Sequence, residues 1–140
     1  MKNILKKIQL FVILVSAISF TNCENSNEVI SSELTIQQKV ALLEGSQWLL
    51  KGFEDRVMHT FKDSKQFTYY GTNNVFDENP IPNALNYIIE GNLITIDYNF
   101  GNISSYELTF SCNNSIVDFS QNGEVVKTLY KRGSNFQQCL

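Results

Sequence analysis

The chain is poor in the residues that most often carry chemistry and poor in positive charge. It has one histidine, one tryptophan, two prolines and three cysteines, and 11 lysines and arginines stand against 14 acidic residues. The shortage of cations excludes the basic surface that nucleic acid demands. It also excludes electrostatic attachment to anionic lipid. One histidine with so few cysteines excludes a standard zinc site. His59 has Glu54 and Asp55 near it in sequence, but both lie in the preceding hairpin rather than where a general base would need an orienting carboxylate. It is read as a strand residue near the core. No Gly-x-Ser-x-Gly elbow, phosphate-cradling glycine loop or carboxylate pair placed for glycoside hydrolysis is present. The stretch "NNVFDEN" offers oxygens from Asn73, Asn74, Asp77, Glu78 and Asn79. It lacks the ligand spacing and glycine of an EF-hand and reads as solvated loop. No enzyme, cofactor or metal is expected.

There is also no long hydrophobic run. The longest, Ile8 to Phe20, is interrupted by Gln9, Ser16 and Ser19 and follows Lys2, Lys6 and Lys7. A membrane span needs about 20 apolar residues, so this is the layout of a secretory signal. The residues before Cys23, Phe20-Thr21-Asn22, do not suit an ordinary signal-peptidase site. They resemble a bacterial lipoprotein signal of the Bacteroidota type, with Asn22 where glycine, alanine or serine is usual. The resemblance implies a signal peptide over residues 1–22 and a Cys23 bearing diacylglycerol and an acyl chain such as palmitate. Several acyl tails suffice for stable anchoring, which needs at least two membrane signals. The resemblance then implies a protein hung from the bacterial cell envelope, at the outer membrane, by a flexible tether over residues 23–34. The plainer alternative is a secreted protein with Cys23 as a spare thiol. Loss of the three leading lysines leaves eight basic residues against 14 acidic ones, a net charge of about −6.

With Cys23 lipidated, Cys112 and Cys139 remain as a pair in a compartment that permits disulfides. A bridge would pin the segment "GSNFQQCL" and contribute roughly 3 kcal/mol in the chain-entropy model. Two unbridged thiols are the alternative.

Residues 35–44, "TIQQKVALLE", read as a short helix: Thr35 and Gln38 make a capping-box pattern, Ile36, Val40 and Leu43 recur at helical spacing, and Gly45 is placed to stop it. From Gln47 the pattern becomes alternation. Eight strands follow: "QWLLKGF", "RVMHTFK", "QFTYYG", "YIIE", "LITIDY", "ISSYELTFSC", "SIVDFS" and "VVKTLYKR". Tight turns at Asp63-Ser64, Gly91-Asn92, Asn113-Asn114 and Asn122-Gly123 make their neighbours antiparallel. The exception is a long loop over residues 71–86, which holds Pro80 and Pro82. Eight such strands in one sheet leave two exposed edges unless they close. The expectation is an all-β, eight-stranded antiparallel up-and-down barrel over residues 35–140, preceded by one short capping helix.

In this arrangement the chain resembles the lipocalin-like and wider calycin families over about residues 45 to 133. The opening Gly45-Ser46-Gln47-Trp48, the strand-closing Arg132 and the unit "YIIEGNLITID" carry the likeness. It implies a barrel-closing pair in which Arg132 stacks on Trp48.

Alternation assigns the inward face to Trp48, Leu50, Val57, His59, Phe61, Phe67, Tyr69, Tyr87 and Ile89, then to Ile94, Ile96, Tyr98, Tyr106, Leu108, Phe110, Val117, Phe119, Val126 and Tyr130. The outward face takes Lys51, Lys62, Thr68, Thr95, Asp97, Glu107, Thr109, Asp118 and Lys127. So many rings inside eight strands imply a largely filled barrel with at most a shallow rim pocket. Glu54, Asp55 and Arg56, with Phe76 and Asp77 of the long loop, form the candidate binding rim. The functional expectation is a monomeric, non-catalytic binding module for a small apolar ligand or an envelope protein. The alternative is a protein inhibitor or assembly factor that uses the 71–86 loop.

Overall fold

A computed structural model describes residues 33–140; the expected signal peptide, Cys23 and tether residues 23–32 lie outside them. Thr35 caps the helix α1 (Ile36–Glu44) by the expected reciprocal pair: its hydroxyl accepts from the Gln38 N–H, and the Gln38 side chain accepts from the Thr35 N–H. Nine strands follow, β1 (Gln47–Leu50), β2 (Val57–Lys62), β3 (Lys65–Thr72), β4 (Val75–Phe76), β5 (Leu85–Glu90), β6 (Leu93–Asp97), β7 (Ile103–Ser111), β8 (Ile116–Gln121) and β9 (Glu124–Lys131). All pairings are antiparallel, in the order β2-β1-β9-β8-β7-β6-β5-β3, and β2 pairs β3 to close an eight-stranded barrel. The tight turns fall where the sequence places them, with Asp63, Ser64, Gly91, Asn113, Asn114, Asn122 and Gly123 all at positive φ, as primed hairpin turns require.

The long loop is more ordered than expected. Its first part is the ninth strand, β4, which folds back on the end of β3 through Gly71↔Phe76 and Thr72↔Val75. Gly71 is required here, because a Cβ would meet the Val75 carbonyl and come within 2.8 Å of the Phe76 ring. The barrel seam beyond the loop is narrow, with β3 and β5 pairing only at Lys65↔Asn86 and Gln66↔Leu85.

Two apolar clusters hold the fold. The first fills the barrel with Trp48, Phe61, Tyr87, Ile94, Ile96, Tyr106, Leu108, Val117, Phe119 and Leu129, and Ile36 and Leu43 of α1 close one end over it. The Trp48 indole N–H donates to the Leu43 carbonyl at 2.9 Å. The second cluster lies on the outer face of β1, β2, β8 and β9, where Leu49, Met58, Ile116 and Tyr130 meet Phe136 of a C-terminal 3₁₀ turn, Phe136–Cys139. Tyr130 and Phe136 stack at 4.3 Å. Cys112 and Cys139 form a disulfide that ties this turn to the end of β7.

The expected phase fails on two strands. On β9, Val126 and Tyr130 face out and Lys127 and Leu129 face in, because a bulge between Phe119 and Ser120 adds a residue to β9. The partner of Phe119 becomes Lys127 rather than Val126, and both Val125 and Val126 are left exposed outside. On β3, Phe67 and Tyr69 were expected inward. The pairs Phe61↔Gln66 and His59↔Thr68 turn Gln66 and Thr68 in instead.

The disulfide closes a loop of sequence separation 27, which the chain-entropy relation values at about 3–4 kcal/mol. Replacing Cys112 and Cys139 together with serine is expected to lower the unfolding free energy by about that amount in a denaturant titration. A change under about 1 kcal/mol would show that the second cluster holds the turn without the bridge.

Candidate functional site

The described surface offers open clefts, and the inside of the barrel offers buried polar groups. Of the expected rim, Glu54 accepts from the Gly52 N–H at 2.9 Å. Asp55 meets Arg56 at 3.5 Å, and the Arg56 guanidinium lies 5.2 Å from the centroid of the Phe53 ring. The fold brings these residues to the β3–β4 hairpin, because the Asn74 N–H donates to the Asp55 carbonyl and the Gly71 N–H to the Arg56 carbonyl. The other two expected rim residues diverge. The Asp77 N–H returns to the Tyr70 carbonyl, and Asp77 lines a cleft of about 380 Å³ with Tyr70, Gly71, Thr72 and Val75. Phe76 turns away from the rim and packs against the second cluster.

The expected closure pair does not form. Trp48 lies inside with its edge to Phe110 at 6.0 Å. The Arg132 guanidinium stands instead 5.0 Å from the Phe76 centroid, and donates to Gln47 Oε1 at 3.0 Å and to the Asn74 carbonyl at 3.5 Å. The cause is parity: Lys131 is the partner of Trp48, so Arg132 points to the opposite, outer face. There it fastens the β3–β4 hairpin to β1 and β9, so the arginine that was expected to seal the barrel immobilises part of the long loop.

His59 is buried as expected, yet in polar company. Its Nδ1 lies 3.1 Å from the Thr68 hydroxyl and 3.2 Å from the Gln66 amide nitrogen. Both act as donors to that nitrogen, which puts the imidazole proton on Nε2. Burial, reinforced by the positive charge of Lys127, lowers the pKa from 6.5 to about 4, so the ring is neutral at physiological pH. Gln66 is 3% exposed, and its Oε1 has no hydrogen-bond partner among the described residues. Such an atom typically costs about 1–3 kcal/mol.

Lys127, Gln66 and Thr68 are the interior groups that residue-type alternation misses. The Lys127 amine stands 4.0 Å from the Phe119 centroid and 5.6 Å from that of Tyr106. Burial lowers its pKa from 10.5 to about 8. The Tyr106 hydroxyl in turn meets that of Tyr98 at 3.0 Å, and burial followed by this contact raises the Tyr98 pKa. The β9 bulge that brings Lys127 inside has no residue-type signature. The inward set of β3, by contrast, follows from the two-residue turn at Asp63-Ser64.

The depressed His59 pKa has a consequence for stability. Between pH 6.5 and 4 the unfolded chain binds a proton at His59 that the folded chain refuses. Stability is therefore complete above pH 6.5 and is lost as pH falls toward 4, by up to about 3 kcal/mol. His59→Gln is expected to be less sensitive to acid than the parent across that window, measured as the difference in denaturation midpoints. Parallel pH curves for the two proteins would show that His59 is not the group responsible.

No protein-family model, no curated protein and no solved structure matches the chain.

Proposed function

We propose that the protein is a lipid-anchored, non-catalytic binding module of the bacterial envelope, and that it recognises a partner protein through the β3–β4 hairpin and the segment that follows it to residue 84. The observation that carries this reading is a contrast between inside and outside. The interior is occupied by fully buried side chains, including Trp48, Phe61, Phe119, Ile94, Ile96, Leu108 and Leu129, which argues against a deep ligand chamber. The hairpin and its continuation instead expose large apolar side chains: Val75 is 75% exposed, Tyr70 52% and Ile81 37%.

This segment is also held still. Backbone bonds run from Asn74 to Asp55, from Asp77 to Tyr70 and from Ile81 to Thr68, and Arg132 covers Phe76. A preorganised surface loses little entropy on association. Charged Asp77 and Glu78 border the apolar residues, an arrangement of apolar centre and polar rim that suits a transient protein contact. An inhibitor or assembly factor would use the same surface. It differs in what capture does to the partner's activity or assembly.

Cys23 supplies the anchor in this reading, and the acyl groups rather than surface charge fix the protein to the membrane, since the chain beyond the signal carries a net charge of about −6.

Two measurements test the proposal. Val75→Ser combined with Ile81→Ser is expected to abolish in-envelope crosslinking to the partner while leaving the thermal midpoint within about 2 °C, because both side chains are already exposed. Undiminished crosslinking would remove the hairpin from consideration. Mass analysis of the N-terminal peptide is expected to show diacylglycerol and an added acyl chain on Cys23, and a bare thiol there would refute the anchor.

A further inference from the structure

Three features meet at Lys127. Its amine lies over the Phe119 and Tyr106 rings. Among the described residues the ion pairs are Lys39–Glu33 and Arg56–Asp55, so no carboxylate stands within 4.0 Å of it. The residue also lines a surface cleft of about 420 Å³ whose walls include Leu50, Phe53 and Val126.

We propose that this cleft binds an anionic amphiphile, with a carboxylate head paired to the Lys127 ammonium and an apolar chain lying over Leu50, Phe53 and Val126.

A half-buried ammonium without a counter-ion loses hydration that ring faces replace only in part. Two carboxylates of adjoining elements hold other donors. Asp118, opposite Thr128 on the outer face, accepts the Thr128 hydroxyl at 2.6 Å. Glu54, on the β1–β2 turn, accepts the Gly52 N–H. Facing Lys127 are Tyr106 on β7, Tyr98 just after β6 and His59 on β2; the His59 ring is neutral and burial raises the Tyr98 pKa, while Lys51 is a second cation at the cleft. The fold thus presents a cation and withholds its partner, beside walls that suit an alkyl chain. The cleft lies within the size range of small-molecule sites. The walls have the same origin as the cation. The β9 bulge turns Lys127 in and leaves Val125 and Val126 outside at the cleft. The hairpin surface plays no part in this site, so the inference stands apart from the reading of that surface.

The test uses the full chain and two photoreactive probes of equal length, a diazirine-bearing decanoic acid and the same chain ending in a primary alcohol, with labelled positions found by peptide mass mapping. The acid is expected to label β1 and β9 at the cleft at about tenfold lower concentration than the alcohol. Lys127→Met is expected to erase that preference and Lys127→Arg, which keeps the cation, to retain it. The preference in the parent protein should also decline as pH rises through about 8, where the free amine gives up its proton. Should Lys127→Met fail to fold by circular dichroism, the Arg variant and this pH series decide the matter. Equal labelling by acid and alcohol, or an acid preference that survives in a folded Lys127→Met protein, would overturn the proposal.

Discussion

The inside of an eight-stranded barrel is only as wide as the side chains that fill it, and this limit governs the rest of the molecule. Trp48, Phe61 and Phe119 take up much of the cross-section, with Phe61 and Phe119 near-parallel at 6.4 Å and Phe61 edge-on to Tyr87 at 6.1 Å. The indole then reaches out of the barrel to the Leu43 carbonyl, so the same residue fills the core and fixes the helix that closes its end. With the centre full, the long loop, the bulged strand and the C-terminal turn make up the periphery of the barrel.

How much of this was legible follows from which residues had their environment set locally. The helix, its cap and the tight turns depend on neighbours within a few positions, and Thr35, Gln38, Asp63, Ser64, Asn122 and Gly123 all behave as their residue types require. Strand phase is different. On β3, residue chemistry points Phe67 and Tyr69 inward, but the two-residue turn pairs Phe61 with Gln66 and His59 with Thr68. Register outranks hydrophobicity there, and the turn alone carried the answer. On β9 the turn misleads, because the bulge beside Phe119 changes the parity after the hairpin has set it. Both strands also carry apolar residues on the outer face, since Phe76 and Phe136 cover part of it. Phe136 comes from the far end of the chain and Phe76 from the hairpin after β3, and a two-residue period registers neither. The fate of Arg132 follows from the same parity, and so does the absence of its stack on Trp48. Of the candidate rim, the Glu54–Arg56 turn and the hairpin do come together, through backbone bonds that no side-chain pattern announces.

The buried polar groups have a common physical cost. His59 must stay neutral, Gln66 Oε1 lacks a partner among the described residues, and Lys127 is charged in a place that disfavours charge. Apolar side chains of similar size would remove each penalty. Sequences that are locally consistent elsewhere tend to break such rules at functional sites. The three groups are not equal in this respect. His59, Gln66 and Thr68 satisfy one another in part, as a closed group within the barrel wall. Lys127 has rings for neighbours and a cleft beside it, which makes it the group whose penalty a molecule from outside could relieve.

The two exposed surfaces arise from one construction. Folding β4 back over β3 and tying the C-terminal turn to Cys112 covers the outer face of β1, β2, β8 and β9 with Phe76 and Phe136. That cover allows Tyr130, Met58 and Leu49 to point outward without meeting water. With the outer face of β9 so occupied near its C-terminal end, Leu129 and Lys127 are left for the interior. A strand that is apolar outward at one end and carries a lysine inward at the other would be unstable in a barrel with one core. The second core stabilises it. The second cluster and the bulge thus divide β9 between them: one fixes the outward Tyr130, the other the inward Lys127.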